Sequence, residues 1–229
     1  MFTNIYPSSF ICQSSVISHQ MYYLYLHGFA SSPRSLKARY LRDRFDERGI
    51  TLHILDLNQG DFAHLTLSRQ LQQAEAAFPD PDVPISIIGS SFGGWTAALL
   101  AQKHDRIKRI VCMAPAFNFR NHFVSRLGEQ KLQEWEKNGF LPVYHYGENR
   151  RIPLHYEFLT DAWRYEDWER PCTVPTLILH GLKDALVPIQ TSRNYQQDRP
   201  HVKLVELDSN HWLADVLPQI WQEIEQFCL

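Results

Sequence analysis

Excess charge of either sign is the first thing this chain lacks. Its 229 residues carry 23 Lys and Arg against 25 Asp and Glu, a formal net charge of −2. That balance supplies no basic face for a nucleic acid and no polybasic run for an anionic lipid surface. Cysteine is sparse: Cys12, Cys112, Cys172 and Cys228 stand far apart, with no C-x-x-C pair. Such spacing argues against a disulfide framework or a zinc site and fits reduced thiols in the cytoplasm. Eleven histidines are present without an H-E-x-x-H or similar cluster, so no metal is expected.

Long apolar runs are missing as well. None approaches the ~18–20 residues that a bilayer span requires. The first twenty residues contain no Lys or Arg, and Gln13, Ser14, Ser15 and Ser18 interrupt their apolar stretches. The cationic start and apolar block of a secretory signal are therefore not there. Residues 1–20 read as an extension outside the fold, with Met21 an attractive alternative start. There is no internal repeat and no low-complexity tract. A hydrophobic fraction of 44% over this length suits one α/β domain over residues 21–229, with a modest insertion.

From Met21 onward short apolar runs alternate with longer amphipathic ones, the pattern of βα units and a parallel sheet. Strands are expected at 22–27, 51–55, 83–89, 107–114, 176–180 and 203–207. Helices are expected at 35–48, 63–78, 92–103, 189–197 and 213–227. Residues 117–171 break the rhythm and are rich in aromatics and charges. Within them the spacing predicts a helix at 129–137 ending at Gly139, a hairpin of 143–146 with 151–155, and a helix at 156–167.

Gly89-Ser90-Ser91-Phe92-Gly93 matches G-x-S-x-G in one register, with Ser91 central. It lies between an apolar strand and a helical run, the context of a nucleophile elbow. A bare Gly/Ser turn is the bland reading of the same residues. Ser91 needs a base to take its proton, and the chain offers one in Asp208-Ser209-Asn210-His211-Trp212, after the sixth strand. The orienting acid is expected after the fifth strand, in His180-Gly181-Leu182-Lys183-Asp184. Asp184 is the preferred acid; Asp208 is its rival because it is near His211 in sequence. The order Ser, Asp, His, each at a strand's C-terminal end, is that of an open α/β sheet hydrolase. His27-Gly28-Phe29 closes the first strand, and the backbone N–H groups of Phe29 and Phe92 are the expected oxyanion donors. His27 itself is expected mainly to hydrogen-bond neighbouring loops. Arg120, Arg150, Arg151 and Arg164 are weighed for recognising a substrate carboxylate and read better as solvated surface charges.

Tyr25-Leu26-His27-Gly28-Phe29-Ala30-Ser31-Ser32-Pro33-Arg34-Ser35 resembles the opening of the small bacterial esterases of the YqiA/YcfP family of α/β-hydrolases. Gly89–Gly94, His180–Pro188 and Asn210-His211 fit the same pattern. The insertion resembles the short cap of serine hydrolases that cleave acyl glucuronides and palmitoyl thioesters. The resemblance implies an α/β-hydrolase fold, a triad of Ser91, Asp184 and His211, no cofactor, and hydrolysis of small to medium carboxylic esters or thioesters through an acyl-enzyme. A peptidase or carbon–carbon hydrolase with the same triad, and a low-turnover ligand-binding protein of the same fold, are the alternatives. The acyl chain, leaving group and oligomeric state are left open.

Overall fold

A computed structural model of the chain describes residues 20–165 and 172–229. Six parallel strands form the central sheet: β1 (Tyr22–Leu26), β2 (Leu52–Ile54), β3 (Ile85–Ser90), β4 (Ile107–Met113), β7 (Thr176–Gly181) and β8 (Val202–Leu207). Their spatial order is β2-β1-β3-β4-β7-β8. Chain direction across the sheet reverses between β1 and β3, so a crevice opens where their carboxyl ends diverge. Leu26 is in register with Gly89, and Ser90 with Met113.

Period-two alternation sends each strand's side chains to opposite faces. Leu24 and Leu26 join one core with Ile85, Ile87, Ile110 and Cys112. Tyr23 and Tyr25 join the other with Val111, Met113, Leu177 and Leu179. Helices α1 (Leu36–Asp46) and α8 (Leu217–Cys228) cover the second face through Leu41, Phe45, Ile220 and Ile224. Helices α2 (Leu67–Ala76) and α3 (Phe92–Ala101) cover the first through Leu71, Trp95 and Leu99. Full burial of one such side chain contributes about 1.5–3 kcal/mol, so packing, more than propensity, fixes these helices. Helix α7 (Gln190–Gln196) follows β7.

The α/β architecture is the expected one; element edges differ for local reasons. The helix expected from residue 63 begins instead at Leu67, because the Thr66 hydroxyl accepts from the Arg69 N–H and caps it, after a 3₁₀ turn at Phe62–His64. The last helix starts at Leu217, not residue 213. Leu213 has φ +54°, and Pro218, which lacks an N–H, is confined to the first turn.

Between β4 and β7 lie α4 (Phe119–Leu127), α5 (Glu129–Asn138), the antiparallel ribbon β5 (Phe140–His145) with β6 (Arg150–His155), and α6 (Glu157–Ala162). The ribbon is longer than expected. Pro142 faces Pro153 across it, and prolines are tolerated there because both strands are edges. Helix α4 was not anticipated, although Phe119, Phe123 and Leu127 recur at i, i+4 and i+8. The helix expected at 156–167 ends at Ala162, and residues 166–171 lie outside the described residues. So does the proposed N-terminal extension, except Gln20.

Candidate active site

β3 ends in a turn that the sequence makes tight. A Cβ at Gly89 would lie 2.2 Å from the Gly93 carbonyl oxygen, and one at Gly93 would lie 2.2 Å from that of Leu26. Only glycine lets β3, α3 and the end of β1 approach this closely. Ser91, between them, has φ +53° and ψ −113°, a conformation costly for a residue with a side chain. Its own backbone hydrogen bonds hold it there. The Ser91 N–H donates to Met113 O at 2.8 Å, and its carbonyl accepts from the N–H groups of Gly94, Trp95 and Ala116 at 2.9, 3.1 and 3.1 Å.

The loops after β7 and β8 bring two further groups to this turn. His211 Nε2 lies 3.1 Å from Ser91 Oγ, and His211 Nδ1 lies 2.7 Å from Asp184 Oδ2. Asp184 is buried, and its Oδ1 accepts from the Leu186 and Val187 N–H groups at 2.8 Å each. Burial pushes its carboxyl up. Hydrogen bonds from His180 and His211, the His211 charge and the Val187 amide outweigh that and hold it well below the usual carboxylate range. Asp208 is elsewhere: its Oδ1 lies 2.6 Å from Lys183 Nζ on the exposed surface.

The sequence alone assigned His180 no role. Its ring is fully buried, with Nε2 3.0 Å from Val187 O and 3.2 Å from Asp184 Oδ2, and Nδ1 2.7 Å from Ser192 Oγ. Two acceptors face Nε2, so that nitrogen carries the proton. Only the folded loop reveals this, since His180 is four residues from Asp184 on a tight turn.

Phe92 opens α3, where a helix leaves its first N–H groups without intrahelical acceptors. Phe29 follows Gly28, where an added Cβ would lie 3.3 Å from Ser91 Cβ. Among the described residues neither the Phe29 nor the Phe92 N–H donates to a backbone carbonyl. His27 Nε2 accepts from the Leu57 N–H at 3.1 Å, and its Nδ1 lies 2.9 Å from Gly28 O. That ring ties two loops together and does not reach Ser91 by any hydrogen bond.

A cavity of about 660 Å³ opens over Ser91 and His211. Phe119, Phe123 and Leu127 give it an apolar wall from α4, and Tyr146 and Trp212 stand at its rim with ring centroids 5.0 Å apart. Phe158, by contrast, is buried against Phe29 and Phe92 of the body, and Trp135 is buried against Phe123 and Tyr156 within the insert, while Phe140 and Tyr144 are exposed on the ribbon. Trp168 lies outside the described residues. None of Arg120, Arg150, Arg151 and Arg164 lines the cavity; Arg150 and Arg164 face Glu148 and Asp161. Among the described residues no three His, Cys, Asp or Glu side chains gather as metal ligands.

Residues 22–228 match the model of an uncharacterised protein family, UPF0227. The chain belongs to that family. No curated protein matches it in sequence. Among solved structures it is similar to alpha/beta hydrolase domain-containing protein 10 from mouse, at 21% identity and a TM-score of 0.72, covering 89% of each chain. It is also similar to Est1E from Butyrivibrio proteoclasticus (23%, TM-score 0.71, covering 89% of this chain and 85% of that one). A third is a pyrethroid hydrolase from Sphingobium faniae JZ-2 (16%, TM-score 0.63, covering 91% and 97%). At these identities the likeness establishes the α/β-hydrolase fold of this UPF0227 chain.

Proposed function

We propose that this UPF0227 protein is a serine hydrolase that cleaves carboxylic esters or thioesters of small to medium acyl groups through an acyl-enzyme. The observation that carries the reading is the continuous hydrogen-bonded line from Asp184 through His211 to Ser91, at 2.7 and 3.1 Å, ending on a strained serine. His211 Nε2 takes the Ser91 Oγ proton as Oγ attacks the acyl carbon, while Asp184 holds the imidazole's tautomer and stabilises the imidazolium. The N–H groups of Phe29 and Phe92 donate to the oxyanion; one such donor is typically worth about 2.7–4 kcal/mol in the transition state. The tetrahedral species collapses as His211 returns the proton to the leaving oxygen or sulfur. Water, deprotonated by the same nitrogen, then releases the acid and restores Ser91.

The segment 117–171 serves as a cap over the body formed by the rest of residues 21–229, and its α4 aromatics receive the acyl group. Two of the three structural neighbours named above bear the name hydrolase, which agrees with this chemistry. Free Cys112, Cys172 and Cys228, and the absence among the described residues of any helix long and apolar enough to cross a membrane, agree with action in the cytoplasm.

Intact mass after incubation with a fluorophosphonate probe tests the reading. One adduct is expected on the wild type, none on Ser91→Ala, and much slower labelling on His211→Ala. A folded wild-type protein that takes up no probe and hydrolyses no nitrophenyl ester or acyl thioester would leave a ligand-binding protein in its place.

A further inference from the structure

The cavity's charge is one-sided. Arg34, Lys37 and Arg126 line it, and among the described residues no Asp or Glu does, although the chain as a whole is at −2. Nor does any of the three pair with a carboxylate elsewhere among those residues, whereas Arg48, Arg69 and Arg193 each sit within ion-pair distance of one. Cations around an apolar cleft with no carboxylate at ion-pair distance concentrate positive potential inside it.

One of them stands beside His211, the proton donor of the proposed reaction. Lys37 Nζ donates to the backbone carbonyl of Trp212 at 2.7 Å, one residue beyond His211. An ammonium has three N–H groups, so two remain for another partner. Lys37 is half-buried; burial pushes its pKa down to about 8, with Asp184 opposing the shift, so it stays largely protonated at neutral pH. Arg34, three residues earlier, is exposed and offers the planar fork that suits a carboxylate or phosphate. The leaving group must contact His211 Nε2 to be protonated, so it sits on the side of the Trp212 loop, and the acyl group takes the apolar wall of Phe119, Phe123 and Leu127.

We infer that Arg34 and Lys37 form an anion subsite for the leaving group, so that the preferred substrates are apolar acyl esters of alcohols or thiols bearing a carboxylate or phosphate. The inference rests on the hydrolase reading of Ser91 and narrows its substrate class. Arg126 lies on α4 beside Leu127 and adds to the field without being assigned to the anion.

Butyrate esters of three phenols test it: 4-hydroxybenzoate, 4-hydroxyphenyl phosphate and the neutral 4-hydroxybenzamide, each normalised to its spontaneous hydrolysis. For the wild type, kcat/KM is expected to be about tenfold or more higher for an anionic ester than for the neutral one, and the two anionic arms tell carboxylate from phosphate. In R34Q/K37Q the preference falls to within about twofold of unity. Arg34→Gln alone repeats the comparison without disturbing the Lys37–Trp212 bond, and a reduced preference is expected there too. No anionic preference in the wild type, or an unchanged one in the variants, overturns the subsite. A binding arm by calorimetry uses the non-hydrolysable butyramides of 4-aminobenzoate, 4-aminophenyl phosphate and 4-aminobenzamide. Tighter anion binding with no ester turned over keeps the subsite and overturns the hydrolase reading. Turnover of all three esters with no anion preference in either arm does the reverse.

Discussion

His180 and His211 converge on a single oxygen atom, Oδ2 of Asp184, at 3.2 and 2.7 Å. The other oxygen is held by two backbone amides, so the carboxylate cannot rotate without losing partners. His180 is in turn fixed by Ser192 and Val187. It acts on Ser91 only through Asp184 and is a positioning residue. Its replacement by Phe should lower kcat about ten- to hundredfold, the usual effect of losing such a support, with KM within about twofold. His180→Gln, which retains an N–H donor, should recover part of the loss. Steady-state kinetics on a nitrophenyl ester check this; a change confined to KM would contradict the role.

Asp184→Asn removes the charge opposite His211 and allows the wrong tautomer. The expected loss in kcat is on the order of 10³–10⁴, with slowed fluorophosphonate labelling of Ser91. A loss below tenfold in a variant with unchanged circular dichroism would assign the orienting role to another acid.

The same carboxylate makes stability depend on acidity. Asp184 is held below the ordinary range in the folded state, whereas in the unfolded chain it titrates near about 3.9. Its contribution is therefore present above the unfolded value and drains away as pH falls toward the folded one, by up to about 1.4 kcal/mol per pH unit. Urea unfolding between pH 4 and pH 2 should show a shallower decline for Asp184→Asn than for the wild type. Parallel slopes would mean that the folded carboxyl is not depressed.

Gly93→Ala directs a methyl to within 2.2 Å of a main-chain carbonyl oxygen, and neither β1 nor α3 can yield without breaking the sheet or the elbow. Overpacking usually costs about 1–3 kcal/mol; here the obstacle is backbone, and a cost at or above the top of that range is expected. Thermal or urea unfolding measures it, and a cost below about 0.5 kcal/mol would refute the close approach.

Asp161, on α6, ties the insert to the body. Its Oδ2 accepts from the Ser68 N–H at 2.8 Å, and its Oδ1 from the Ser68 hydroxyl. Asp161→Ala leaves the half-buried Ser68 N–H without its acceptor, while the Ser68 hydroxyl keeps the Tyr165 hydroxyl at 2.7 Å, so a loss of about 1–2 kcal/mol is expected, a few degrees in Tm for a chain of this size. Calorimetry checks it. Activity should fall as well if the insert acts as a cap, and an unaffected kcat/KM would argue against that role.

Much of this was readable along the chain because it depends on local rules. The alternation of strands and helices follows from side-chain periodicity, and glycines at 89 and 93 around Ser91 mark a turn that only a small residue permits. Chain order alone put Asp184 and His211 after the strands that now carry them. Where the outcome hung on distant partners, the sequence said less. Chain order favoured Asp184 over Asp208 without removing the rival; in the structure Asp184 is buried against His180 and His211, while Asp208 pairs with Lys183 in solvent. Pro142 lies outside the ribbon expected from residue 143, and a proline there is tolerated because its strand is an edge. Arg34 stood only in the opening motif and Lys37 only in the expected helix 35–48, and Lys37 meets the carbonyl of Trp212 from 175 positions away. Periodicity and turn chemistry are properties of neighbours in sequence; the charge of a cavity and the burial of a carboxylate are properties of neighbours in space, which only the closed tertiary structure creates.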